Sequence, residues 1–156
     1  MNRRRAIAIL ALLGVLDSVY LLFAKLAYIG GLSCTISHGC DMVNSSSYSE
    51  VFGIPVSGIG LAGYLSLFVV ALAGTQPRWL EDPRPDWLLS LLAGLAVGFT
   101  LYLSYVELFI IRAICQWCVV SQLLILAIFV LALIGALTGR RAVLGEPARQ
   151  ALSNWE

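Results

Sequence analysis

Charge is what this sequence has least of. Only 12% of its 156 residues are Asp, Glu, Lys or Arg, against about 25% in a typical soluble domain. The few charges also sit between long apolar blocks, and 60% of the chain is apolar. The bilayer, rather than a buried core, is therefore the expected solvent for most side chains. Histidine occurs once, at His38, and no Gly-rich phosphate motif is present. Those absences argue against a His-based metal site and against ATP chemistry. A net charge of +1, with no basic stripe and interleaved aromatics, indicates no nucleic-acid partner. One long segment, from about Gly30 to Gly53, has no Lys or Arg at all.

The apolar blocks are four. They run from about Ala6 to Ile29 (interrupted by Asp17 and Lys25), from Ile54 to Gly74, from Trp87 to Ile111 and from Ile114 to Leu137. Each has the roughly 20 residues that a helix needs to cross ~30 Å of hydrocarbon. In lipid the backbone must satisfy its own hydrogen bonds, so helices are expected. Arg3, Arg4 and Arg5 precede the first span, Arg78 and Arg84 lie between the second and third, and Arg140 and Arg141 follow the fourth. Positive flanks stay inside. Both termini are thus expected in the cytoplasm, with Gly30–Gly53 and the turn around Arg112 facing out. Arg112 is the one positive charge that opposes this orientation. The leading arginines and apolar run also resemble a secretory signal. The run is too long for one and no Ala-x-Ala site follows, so it is read as a retained span. The expected fold is an all-α integral membrane bundle of four transmembrane helices over residues 1–137, with a short cytoplasmic tail over 138–156.

Cysteine is sparse but paired. Cys34 and Cys40 lie in the segment between spans one and two, and Cys115 and Cys118 form Cys-Gln-Trp-Cys at the start of span four. The topology puts both pairs on one side, the oxidising face of a bacterial cytoplasmic membrane. At a helix start the first cysteine meets unpaired N–H groups and the positive end of the dipole, which favours the nucleophilic thiolate. Cys115 is thus expected to be the accessible thiol and Cys118 the deeper one. Inert disulfides are an alternative, although a Cys115–Cys118 bridge closes too small a loop to stabilise much. A four-thiolate zinc site is another, and the Cys34-x5-Cys40 spacing is loose for it.

Two pairs beside a membrane suggest a relay of thiol–disulfide exchanges. The loop pair is flanked by glycines at Gly30, Gly31 and Gly39, which suits movement between a partner and a fixed pair. Its electrons would pass to the two-electron acceptor of the lipid phase, a quinone, in a pocket between helices. Tyr48–Phe52 is expected to cap that pocket as a short amphipathic segment on the membrane surface.

The order of these features resembles a known family. A loop cysteine pair is followed by Ser-Ser-Ser-Tyr-Ser-Glu-Val-Phe-Gly-Ile-Pro-Val-Ser (Ser45 to Ser57), by Gly-x-x-Gly-Tyr (Gly60 to Tyr64), and by Cys-x-x-Cys in the last span. This is similar to the bacterial form of the vitamin K epoxide reductase family, over nearly the whole chain. The resemblance implies a four-helix bundle around ubiquinone or menaquinone, with the loop pair lying over it. It implies that Cys118 faces the quinone, that Cys115 exchanges with Cys40, and that Cys34 meets a separate periplasmic thioredoxin-like protein. A serine of the Ser-Ser element, Ser46 or its neighbour Ser45, would hold the cap and the relay. Ser57, Phe52, Trp117 and Gln122 are the candidates beside Cys118 for quinone contact. Animal relatives place an Asn and a Tyr near the quinone, where Val56 and Gln122 stand here. No metal is expected.

Other polar residues have two readings each. Asp17, within span one, is a functional candidate or makes a polar contact such as one with Ser18. Glu107 delivers protons to a quinone, or snorkels, or pairs with Arg112. His38 stabilises a thiolate or is an ordinary loop histidine, and Trp117 stacks on a quinone ring or anchors the helix at the interface. The function expected is a quinone-dependent thiol oxidase that supports disulfide formation. The alternatives are a non-catalytic scaffold with structural disulfides and a DsbB-type oxidase, in which the two cysteine motifs come in the opposite order.

Overall fold

The computed structural model describes residues 3–26, 39–79, 82 and 84–153. Cys34 and His38 lie outside the described residues. The helices are α1 (Arg3–Lys25), α2 (Cys40–Ser45), α3 (Val56–Ala73), α4 (Arg84–Tyr105, continued by a π-helical turn over Val106–Ile111) and α5 (Gln116–Ser153). Among the described residues four segments are long and apolar enough to cross a membrane: Arg3–Lys25, Val56–Ala73, Arg84–Ile111 and Gln116–Gly139.

The distribution of apolar residues is that of a protein dissolved in lipid. Leu12, Leu16, Val69, Leu91, Leu101 and Leu123 point outward and are exposed. The helix interfaces instead carry Ala8, Ala11, Ala71, Ala93 and Ala132, all buried in one cluster with Ile7, Leu67, Leu89 and Ile128. Small residues let helix backbones approach where lipid supplies no hydrophobic drive for association. α1 packs on α3 and α5, and α4 packs on α5 and α3, so the four close a ring.

Both ends of α1 are tied down by a cation. At one end the Arg4 guanidinium binds Asp86 of α4 and also donates to the backbone oxygens of Gly74, Trp79 and Asp82. At the other end Lys25 Nζ donates to the Asn44 backbone oxygen (3.0 Å) and to Ser49 Oγ (2.6 Å), and lies 3.2 Å from Glu50 Oε1. Those three partners belong to the segment that covers the bundle.

The cap differs from the expected amphipathic segment. After α2 come a 3-10 turn at Ser47–Ser49 and a hairpin of β1 (Glu50–Val51) and β2 (Ile54–Pro55), with Glu50 opposite Pro55 and Val51 opposite Ile54. Phe52 and Gly53 form its tip at φ 53° and 79°, the positive pair that a two-residue hairpin turn requires. A proline so close behind the turn forbids helix there. Beyond residue 137 the chain stays helical, and α5 runs to Ser153. Pro147 lies inside this helix, where its missing N–H removes one rung of the hydrogen-bond ladder.

Candidate active site

Cys40 opens α2, and Cys115 precedes the first residue of α5. Both are 1% exposed and share one buried cluster, against which Tyr20, Leu21, Ala24, Val43, Trp117 and Cys118 pack. Gly39 makes this approach possible. A Cβ there would lie 2.7 Å from the backbone oxygen of Ile114 and 3.0 Å from its nitrogen, so the loop rests directly on the strand of backbone that leads to Cys115. Cys40 is in a disulfide, whereas Cys115 and Cys118 are free thiols.

The turn that presents Cys115 is built from an irregular helix end. The six-residue π-helical turn Val106–Ile111 is followed by Arg112 in the left-handed conformation (φ 55°). The Ala113 N–H then returns to the Glu107 backbone oxygen at 3.2 Å. This closes the end of α4 and throws the chain across to α5. There the Cys115 sulfur takes the place of an N-capping side chain, accepting the Cys118 backbone N–H at 3.3 Å. A hydrogen bond from the Cys118 thiol holds the Cys115 thiol below its ordinary value, with help from the same backbone N–H. The expected order of access is reversed, however. Cys115 is the enclosed thiol, because the Cys40 segment lies over it, and Cys118 is partly exposed along a cavity.

That cavity has a volume of about 370 Å³ and lies between the cap and the four long helices. This is within the ~300–1,000 Å³ usual for a small-molecule site. Its walls are mostly apolar, with Ile59, Leu67, Leu92, Phe99, Leu103 and Ile125 among them. Along α3 it extends from Val56 to Leu67, about 16 Å at 1.5 Å per residue. Leu95, one of its lining residues, is 68% exposed, so the slot opens sideways toward lipid. Polar groups gather at the cysteine end: Cys118, Gln122, Ser57, Ser46 and Glu107 all line it. Tyr64 and Ser121 also line it, with the Tyr64 hydroxyl 2.8 Å from the Ser121 backbone oxygen and 2.9 Å from its Oγ.

The expected site residues therefore separate into groups. Cys118, Gln122, Ser57 and Ser46 come together on the cavity, as does Val56. Ser46 donates from Oγ to the Val43 backbone oxygen (2.7 Å) and accepts Ser49 Oγ on its own backbone oxygen (2.7 Å), so it stitches the cap. Its neighbour Ser45 is exposed and bonds back to Asp41. Two expected contacts are not on the cavity. Trp117 packs with the cysteine cluster and lies 5.0 Å, centroid to centroid, from Tyr20. Phe52 is fully exposed at the hairpin tip, because the turn carries it away from the bundle. Asp17 is buried with neither carboxylate oxygen hydrogen-bonded among the described residues. Glu107 neither snorkels nor pairs with Arg112, since it is buried while Arg112 is exposed. Lys25 was invisible as a cap residue in the sequence, where its place at a span end was the only signal.

The sequence matches the profile of the Vitamin K epoxide reductase family over residues 5–133. The chain belongs to the vitamin K epoxide reductase family. It is accordingly a helical membrane protein and an oxidoreductase of a quinone-associated family. The residues present suit such a group. A long, mostly apolar slot, open to lipid and with most of its hydrogen-bonding side chains at the cysteine end, matches a lipid-soluble molecule with a polar redox-active head. Cys118, Ser57 and Gln122 are the residues that would hold the head, and the bound quinone would supply a two-electron acceptor.

Proposed function

We propose that this chain is a quinone-linked thiol oxidase that takes electrons from a separate thioredoxin-like protein. The observation that carries the reading is the joint position of the cysteines: Cys40 is packed with Cys115, while Cys118, three residues on, lines the apolar cavity. The partner's dithiol is oxidised to a disulfide as the loop disulfide, assigned to Cys34 with Cys40, is reduced. The loop dithiol then reduces a Cys115–Cys118 disulfide through a Cys40–Cys115 mixed disulfide. Closing Cys115 and Cys118 again releases two electrons and two protons, which convert ubiquinone or menaquinone to its quinol. The arginine flanks support the cysteine end facing the periplasm of a bacterial cytoplasmic membrane.

The test uses the purified full chain in nanodiscs with a reduced thioredoxin-fold protein and a water-soluble ubiquinone analogue, following quinone absorbance. Quinol should form in step with partner oxidation. Cys118→Ala should abolish quinol formation, and Cys34→Ala should block partner oxidation. Rates unchanged in all four single cysteine variants would establish the scaffold instead.

A further inference from the structure

A buried carboxyl group within a membrane span is costly and needs a reason. Glu107 is 6% exposed within Arg84–Ile111. The ion pairs among the described residues are Arg4 with Asp86 and Lys25 with Glu50, so no cation there offsets it. What it meets instead is the redox pair: the Cys118 thiol and the Cys115 backbone are the polar groups that act on its carboxyl. It also lines the cavity that Cys118 lines. The backbone is irregular at this point, since Glu107 sits in the π-helical turn, a distortion that occurs mostly where side chains are being placed for function.

From this geometry we infer that Glu107 is the catalytic residue that carries the Cys118 proton into the cavity. The inference rests on the oxidase reading above. As Cys115 and Cys118 close to a disulfide, two S–H bonds are lost with two electrons, and the quinone gains two O–H bonds. Glu107 handles one of the two protons. The Cys118 S–H bond breaks as a carboxyl O–H forms on Glu107. That O–H then breaks as the quinol O–H forms, which returns Glu107 to a carboxylate. The second proton comes from Cys115. The Cys118 thiol thus stands between two acceptors, the Cys115 sulfur and the Glu107 carboxylate. The former orients it before electron transfer and the latter removes its proton during it. Water is scarce among apolar walls, so a fixed carrier does what solvent cannot.

The experiment compares wild type with Glu107→Gln and Glu107→Asp in nanodiscs by two readouts. The first, without quinone, is the thermal unfolding midpoint. No cation among the described residues pairs with Glu107 and Gln is its neutral isostere, so Glu107→Gln should unfold no earlier than wild type. The second readout is quinol formation. It should fall roughly 100-fold in Glu107→Gln, the scale of a lost general acid–base group. A fold as stable as wild type that nonetheless turns over more slowly is the signature of lost proton transfer, and a merely structural role would not produce it. Glu107→Asp keeps a carboxyl one methylene further away and should fall between the two rates. Wild-type turnover in Glu107→Gln, or in Glu107→Ala should the first variant not fold, overturns the inference alone. Wild type that forms no quinol overturns the oxidase reading and the inference with it.

Discussion

The Arg4 guanidinium holds both carboxylate oxygens of Asp86, at 3.1 Å from Nε and 2.9 Å from Nη2. Each side chain of the pair is 11% exposed, and three backbone oxygens complete the guanidinium's partners. Arg4 thus joins the start of α1 to the α3–α4 connection. Removing one member of a buried, fully hydrogen-bonded pair strands the other, which costs about 3–5 kcal/mol. Arg4→Ala should lower unfolding stability in detergent by about that amount. Arg4→Lys should recover only part of it, since an ammonium lacks the planar fork that serves five acceptors at once. Denaturant titration of the three proteins checks both statements. A loss under 1 kcal/mol for Arg4→Ala would show that the end of the bundle is held by packing alone.

Lys25 does the corresponding work at the cysteine end, but on a part that has to move. Its ion pair with Glu50 contributes little, because Glu50 is 48% exposed and such pairs are worth roughly 0–1 kcal/mol. Its bonds to Asn44 and Ser49 matter more. Lys25→Met should loosen the cap while leaving the core intact, so Cys118 alkylation should speed up roughly tenfold, corresponding to about 1.4 kcal/mol of lost latch. The global unfolding midpoint should hardly change. A Cys118 alkylation rate equal to wild type would mean that the cap is held elsewhere.

These two cations mark where the sequence was legible and where it was not. Long apolar runs bounded by charge report spans directly, because a helix in lipid needs length and little else. The cysteine pairs and the Ser45–Ser57 element were legible as a family pattern, and Cys118, Ser57 and Gln122 do line one cavity. Side-chain direction was not legible. Phe52 read as an apolar cap residue, yet its place in a positive-φ turn turns it outward. Glu107 read as a proton donor to a quinone, a snorkelling acid or a partner of Arg112, and only the fold shows it buried on the cavity that Cys118 lines. Lys25 and Arg4 looked like ordinary flanking charges because their partners lie 19 or more residues away in the chain.

Cys115 should behave as an acidified thiol. Its value is lowered chiefly by the Cys118 thiol that donates to it, against opposing pushes from burial and, less, from Glu107. The sign follows directly. A depressed folded value favours the thiolate, so this contribution to stability is fully present above the unfolded thiol value of ~8.5 and is lost as pH falls through the folded one. Alkylation of Cys115, followed by peptide mass spectrometry, should show its inflection below ~8.5. Cys118→Ala removes the donor and should move the inflection upward. An inflection that ignores Cys118→Ala would assign the effect to the helix start alone.

One wall of the cavity depends on a contact between α1 and α3. A Cβ on Gly14 would collide with the Tyr64 ring, so the ring lies directly on the α1 backbone. That position lets the Tyr64 hydroxyl reach Ser121 of α5 and links three helices through one side chain. Tyr64→Phe keeps the ring and loses the hydroxyl, which should cost about 1 kcal/mol. Gly14→Ala should cost more, about 1–3 kcal/mol, because the ring must leave its place and take the hydrogen bond with it. The two effects share one cause, so they should not add. In a Tyr64→Ala background, where no ring remains to collide with, Gly14→Ala should cost little or even stabilise α1 through alanine's better helix propensity. A double-mutant cycle on unfolding free energy measures this coupling. Full additivity would mean that Gly14 is small for some reason other than Tyr64.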